Sequence, residues 1–172
     1  MSGFLELRYS RNALKTFQKE ILSQKIGGLF FSMSFVDLKK ETIAVVDTAE
    51  YIQISAIEHM SFGEAAHLII SVMEKMFETE NHYFYIGEYK VAPKYIMYDV
   101  RRSDVAMIYA PFTYKNRESI AEDLIEVLIC LSRKTELRDR GLLSQAYRIF
   151  QRNKGDLKVI YRKLNRLLYN NR

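Results

Sequence analysis

The chain is short of the residues that build covalent or metal-linked scaffolds. It has one cysteine, Cys130, which excludes an internal disulfide, and three histidines, His59, His67 and His82, whose spacing matches no metal-binding pattern. Two prolines and seven glycines leave no linker or low-complexity stretch, and tryptophan is absent. No run reaches the ~18 apolar residues of a membrane span. The opening MSGFLELRYSRNALK lacks the apolar core of a secretory signal. The expectation is a soluble chain in a reducing cytoplasm, with attachment to a membrane periphery left open.

What is present describes one globular unit. Of 172 residues, 48% are hydrophobic and 27% charged, which fits a buried core and argues against disorder. Twelve tyrosines and ten phenylalanines favour strands and an aromatic-filled interior. The net charge of +5 is unevenly spread. Residues 133–172 hold 12 Lys and Arg against 3 Asp and Glu, whereas residues 1–132 hold 14 against 18. A basic tail of this kind points to an anionic partner.

Periodicity sets the expected elements. Residues 10–26 place Leu14, Phe17, Ile21 and Leu22 on one helical face behind a Ser10 or Asn12 cap, with Gly27-Gly28 as the stop. Residues 29–37 and 42–55 read as antiparallel strands, the second broken near residues 48–50. Ser61 and Glu64 have capping-box spacing and open a helix to about Glu80, with Phe62, Ala65, Ala66, Ile69, Val72, Met73, Met76 and Phe77 inward. Extended runs follow at 82–87, 94–99 and 105–112, then an amphipathic helix at 117–132 burying Ile120, Leu124, Val127, Leu128 and Leu131. The polar stretch 133–140 is the expected hinge. Beyond it, two helices flank Asn153-Lys154-Gly155, and Asp156 caps the second.

Catalytic constellations are hard to find. Gly27-Gly28 fits neither a phosphate-binding loop nor a dinucleotide fingerprint. Asp123 and Glu126 stand three apart on a helix, and a solvated acidic face is expected of them. Cys130 falls on the apolar side of the same helix, where burial is expected rather than reactivity. The tail carries the one strong charge signal, through Arg148, Arg152, Lys154, Lys158, Arg162, Lys163 and Arg166. With Tyr147, Tyr161 and Tyr169 between them, these cations could grip nucleic-acid phosphates and stack on bases. They could instead rest on an anionic membrane, or form a solvated face on two packed helices.

The order of elements adds a family resemblance. An amphipathic helix, two strands, a long helix and the run YFYIGEYKVAPKYIMYDVRRSDVAMIYAPF at 83–112 resemble the middle of a protein-kinase fold. APKYIMYD is similar to the kinase stretch in which a proline precedes the metal-binding asparagine and a strand, and VAMIYAPF takes the place of the strand ending in Asp-Phe-Gly. The resemblance puts Lys90 at the catalytic aspartate, Tyr95 at the metal-binding asparagine, and no aspartate near Tyr109-Ala110-Pro111. Glu20 stands roughly where the kinase helix carries its glutamate. Without carboxylates to hold magnesium, phosphoryl transfer loses its main charge stabilisation. Over residues 26–112 the chain most resembles two degenerate relatives: the domain preceding forkhead-associated domains in Firmicutes proteins, and the cytosolic pseudokinase-like domain of the type VII secretion protein EssB/YukC.

The resulting expectation is an α+β fold. A small antiparallel sheet packs on amphipathic helices in kinase-lobe-like order, as a core over 1–132, a hinge over 133–140 and a basic helical hairpin over 141–172. Such a chain would be a non-catalytic interaction module, without cofactor or metal, of a bacterial cytoplasmic or membrane-peripheral assembly. An acidic protein would dock on the hairpin. A nucleic-acid-binding accessory role is the alternative, and self-association stays open.

Overall fold

The computed structural model describes residues 3–24, 28–136 and 139–170. Among these residues, two three-stranded antiparallel sheets and five α-helices form an α+β fold. The first sheet has the order β1-β3-β2, from β1 (Phe4–Ser10), β2 (Met33–Asp37) and β3 (Glu41–Asp47). Its register puts Leu5 opposite Val46 and Leu7 opposite Ala44, with Met33 and Phe35 completing the same face from the other side. Ala44 and Val46 are fully buried there, whereas Val45 and Val36 face outward, as the two-residue period of a strand requires. Residues 4–9 lie outside every element expected from the pattern, Ser10 is one of the two expected helix caps, and the strand they form is the largest addition.

The helix after it, α1 (Thr16–Ser23), starts later than expected. The Gln18 side chain accepts from the Lys15 amide at 3.0 Å, so neither Ser10 nor Asn12 caps it. Gln18 is buried and donates to the Tyr109 hydroxyl at 3.0 Å, while Phe17 is exposed. The polar residue takes the inward position because a buried phenol awaits it. Of the expected stop, Gly27 lies outside the described residues, and Gly28 adopts a positive φ of 66°.

The second sheet has the order β4-β5-β6, from β4 (Ile52–Gln53), β5 (Ile96–Asp99) and β6 (Asp104–Met107). It joins the 29–31 segment through Met107, whose amide donates to Leu29 and whose carbonyl accepts from Phe31. Helix α2 (Phe62–Thr79) has the expected capping box, with Ser61 accepting from the Glu64 amide and the Glu64 carboxylate accepting from the Ser61 amide. Residues 82–87 do not form a strand. The Phe84 amide turns back to the Thr79 carbonyl and Tyr83 adopts a left-handed backbone, so the chain's polar groups close the end of α2 instead of joining a ladder.

Helix α3 (Arg117–Ser132) matches its expected range and buries its expected stripe. Helices α4 (Arg140–Arg152) and α5 (Leu157–Tyr169) form the hairpin, and Asp156 accepts from the Val159 amide as a cap. Leu143, Ala146 and Phe150 of α4, with Leu157, Ile160, Leu164 and Leu168 of α5, join the same hydrophobic core as α2 and α3. In the 133–140 stretch, the Lys134 carbonyl accepts from the Met60 amide, Lys134 Nζ donates to the Ser55 carbonyl, and the Asp139 carboxylate accepts from the Phe62 amide at 2.9 Å. Residues 137 and 138 of that stretch lie outside the described residues.

Aromatic rings fill the centre. Phe30 meets Phe84, Tyr89 and Tyr109 edge-on at centroid distances of 5.0–5.2 Å. Burial and the nearby Glu88 carboxylate push the Tyr109 phenol up to about 12, the Gln18 hydrogen bond opposing only in part. Burial, the hydrogen bond to Asp104 and the charges of Asp104 and Asp99 raise Tyr51 likewise to about 12. Tyr9 and Tyr89 are raised further, chiefly by burial. A phenol whose folded value exceeds its unfolded value near 10.0 stabilises the fold below that pH and loses the contribution as pH rises through the folded value. The expected result is cooperative unfolding between about pH 10 and 12, in which tyrosinate absorbance and the loss of circular dichroism rise together. Complete tyrosine ionisation in a still-folded chain would contradict it.

Candidate functional site

The resemblance to kinases directs attention to the loop before β5. The Lys90 amide donates to the Ala110 carbonyl at 2.8 Å and the Phe112 amide to the Glu88 carbonyl at 3.0 Å, pinning residues 88–90 against 110–112. Pro111 sits in this pairing, where it removes one amide donor and a continuous ladder stops. The run expected at 105–112 is a strand only as far as Met107, because its partner β5 begins opposite it at Ile96, directly after the Pro93–Tyr95 turn.

Lys90 is thereby aimed at α3. Its Nζ lies 2.6 Å from Asp123 Oδ2 and 4.8 and 5.2 Å from the ring centres of Phe112 and Tyr114. The Tyr114 hydroxyl donates a short hydrogen bond to the same Asp123 oxygen and accepts from the Val91 amide at 2.9 Å. Burial, reinforced by that carboxylate, pushes the Tyr114 phenol far above its ordinary range. The expected solvated acidic face is thus corrected: Glu126 is exposed, but Asp123 is buried and holds a cation and a phenol. A signal for this was available, because Asp123 falls three residues after Ile120 and four before Val127, inside the buried stripe.

The remaining kinase-like positions are filled by non-equivalent groups. Tyr95 is half-buried under the Lys94 ammonium, 4.8 Å from its ring centre. Glu20 is exposed on α1, and the neighbouring Lys19 pairs with Asp37. Two carboxylates close the β5-β6 turn. Asp99 Oδ1 accepts from the Arg101 and Arg102 amides, and Asp104 accepts from Lys75 Nζ at 2.6 Å and from the Tyr51 hydroxyl at 2.9 Å. Burial works against the charge on Asp104, yet Lys75 and Tyr51 outweigh it and hold the carboxyl below its usual range. Among the described residues, no three His, Cys, Asp or Glu side chains are grouped so as to hold a metal ion.

The seven cations of the tail do not form one surface. Arg148, Arg152 and Lys163 come together in a depression of about 340 Å³ between α4 and α5, shared with Gln145, Ile149 and Asn153. Lys163 is steadied there by a 2.9 Å hydrogen bond to Asn153 Oδ1. Lys154 instead pairs with Glu122 of α3 at 2.9 Å. Lys158, Arg162 and Arg166 follow a four-residue spacing along α5, and Lys158 lines a separate hollow with Phe77, Glu80, Ile86 and Arg117. Cys130 is half-buried, and burial raises its thiol above the ordinary value.

No protein-family model matches the chain, and no curated protein matches it in sequence. Solved structures do match in shape. The Staphylococcus aureus EssB cytoplasmic fragment superposes with a TM-score of 0.59 at 11% identity, covering 94% of this chain and 98% of that one. The chain has the fold of the EssB cytoplasmic fragments. That of Geobacillus thermodenitrificans gives 0.64 at 8% identity over 96% of this chain and 84% of the fragment. A divergent Toxoplasma kinase lacking the glycine-rich loop, which regulates membrane ultrastructure of the parasitophorous vacuole, gives 0.58 at 11% identity over 92% of this chain and 66% of its own. The three matches each cover 92–96% of this chain, more than the residues 26–112 on which the sequence resemblance rests. No helix among the described residues is long and apolar enough to cross a membrane.

Proposed function

We propose that the chain is a non-catalytic, pseudokinase-like interaction module of a bacterial secretion-type assembly, working at the cytoplasmic side, with an acidic protein docking on its basic hairpin. The observation that carries the reading is Lys90. At the position where the kinase resemblance calls for a carboxylate to accept the substrate proton, the chain has a cation already engaged by Asp123. The shared fold with the EssB cytoplasmic fragments supports the secretion setting that the sequence resemblance implies. The Arg148, Arg152 and Lys163 depression gathers three cations, and among the described residues none of them forms an ion pair with a carboxylate, although Glu118 and Asp156 share a neighbouring hollow with Arg152.

Three measurements on the full chain test it. A ligand at a hundredfold excess over its dissociation constant stabilises by about 2.7 kcal/mol, so melting with and without magnesium-ATP separates binding from its absence. No shift and no ATP turnover are expected. Phosphate-driven binding of a DNA or RNA oligonucleotide would fall steeply with added salt across unrelated sequences, and the proposal expects no saturable binding at physiological salt. Affinity enrichment from the host should yield one stoichiometric acidic protein, lost in the R148E/R152E/K163E variant. Nucleotide turnover, or retention of that protein by the variant, would overturn the reading.

A further inference from the structure

A second recess lies on the other flank of α4. Leu128, Ile129, Ser132 and Arg133 of α3 and its end face Arg140, Leu143, Ser144 and Tyr147 of α4 across a groove of about 580 Å³. Leu128 and Leu143 form its buried floor, and Ser132 and Ser144 line it from the two helices. Ile129 and Tyr147 fall just outside the buried stripes of their helices and stay about 40% exposed, at 40% and 41%. Scattered exposed apolar residues need no explanation, but here two line the same groove over an apolar floor. Arg133 and Arg140 bring two guanidinium groups to it, and among the described residues neither forms a hydrogen bond or ion pair through its side chain.

We infer that this α3–α4 groove is the docking site for an acidic amphipathic helix of a protein partner. A channel between two packed helices accepts a third helix ridge-into-groove, with apolar anchors at a spacing of three and four residues. Charge complementarity sets the rest. Two arginines with no side-chain partner among the described residues, beside an apolar floor, call for carboxylates flanking the apolar anchors, and the guanidinium fork binds a carboxylate through two parallel hydrogen bonds. A stacked nucleic acid would require a cationic track rather than a leucine floor. This inference rests on the reading of the chain as a docking module, and it adds an apolar anchor site distinct from the α4–α5 depression.

The test uses the isotope-labelled full chain and a synthetic helical peptide of about four turns, with leucine at i, i+3, i+4 and i+7 and glutamate on its flanks. Saturable amide shifts are expected at Ile129, Ser132, Ser144 and Tyr147. The R133E/R140E variant should weaken binding at least tenfold, as should Tyr147→Ala, and a lysine-for-glutamate twin of the peptide should not bind. Ile129 and Tyr147 are exposed, so Ile129→Ala and Tyr147→Ala should keep the native circular dichroism and melting point. Shifts confined to Arg148, Arg152 and Lys163 would overturn the groove and leave the hairpin-docking function standing. Absence of any saturable shift would overturn the groove, and the function would fall with it only if the R148E/R152E/K163E variant also kept its partner. The same amides responding to phosphatidylglycerol vesicles, or to protein concentration alone, would assign the groove to lipid or to a second copy and overturn the peptide proposal.

Discussion

Replacing Asp123 by alanine should destabilise the fold by about 3 kcal/mol, the usual scale for breaking a buried ion pair by removing one partner. For a chain of this length that corresponds to a fall in melting temperature of roughly 6–12 °C. The loss has two parts. Lys90, whose side chain is 29% exposed, would keep its charge between the Phe112 and Tyr114 rings without its carboxylate, and the Tyr114 hydroxyl would lose its acceptor while still holding the Val91 amide. Urea unfolding of Asp123→Ala, Lys90→Met and the double variant measures the coupling directly. The double variant should be more stable than Asp123→Ala alone, because no unpaired charge is left behind. Lys90→Asp, which restores a kinase-like carboxylate at this place, should be worse than Lys90→Met, since it sets a like charge against Asp123. A change below about 1 kcal/mol in Asp123→Ala would mean that water, not Asp123, satisfies Lys90.

That knot marks where the sequence stops being readable. Elements governed by local rules were visible in advance: the Ser61–Glu64 capping box, the Asp156 cap and the α3 stripe each follow from spacing within one helix. Elements decided by distant partners were not. β1 is a strand because β3 lies beside it across more than thirty residues, and its exposed Phe4 and half-buried Leu7 give a blurred alternation. Residues 82–87 have strand composition, but they follow immediately on a helix end whose carbonyls claim the Phe84 amide. Gln18 enters the core only because Tyr109, far along the chain, offers a hydroxyl. The candidate site divides in the same way. A charge count reveals a basic tail but not that α4 presents Arg148 and Arg152 to Lys163 while Lys154 turns back to Glu122. Nor can it show the α3–α4 groove, which exists only once the two helices are laid side by side.

Phe150→Ala should be at least as damaging as the loss of Asp123, at about 4 kcal/mol, because the ring is fully buried and the cavity cannot be refilled by solvent. It carries a consequence for experiments on the hairpin. Phe150, Ile160 and Leu164 belong to the same core as Val72 and Met76 of α2 and Val127 and Leu131 of α3, and Tyr161 adds an edge-on contact to Phe77 and a hydrogen bond to Glu74. A chain ending at residue 132 would also lose the Asp139 carboxylate that accepts from the first amide of α2. The expected product of that truncation is an aggregating or molten species with exposed apolar surface, recognisable by dye binding and loss of near-ultraviolet dichroism. A partner lost on truncation would then report unfolding, whereas R148E/R152E/K163E alters three side chains on the solvent side of the same helices and should leave the melting temperature within a few degrees. If the truncated chain instead melts cooperatively with a native-like urea dependence, the hairpin folds on the core without supporting it, and the Phe150→Ala penalty should shrink accordingly.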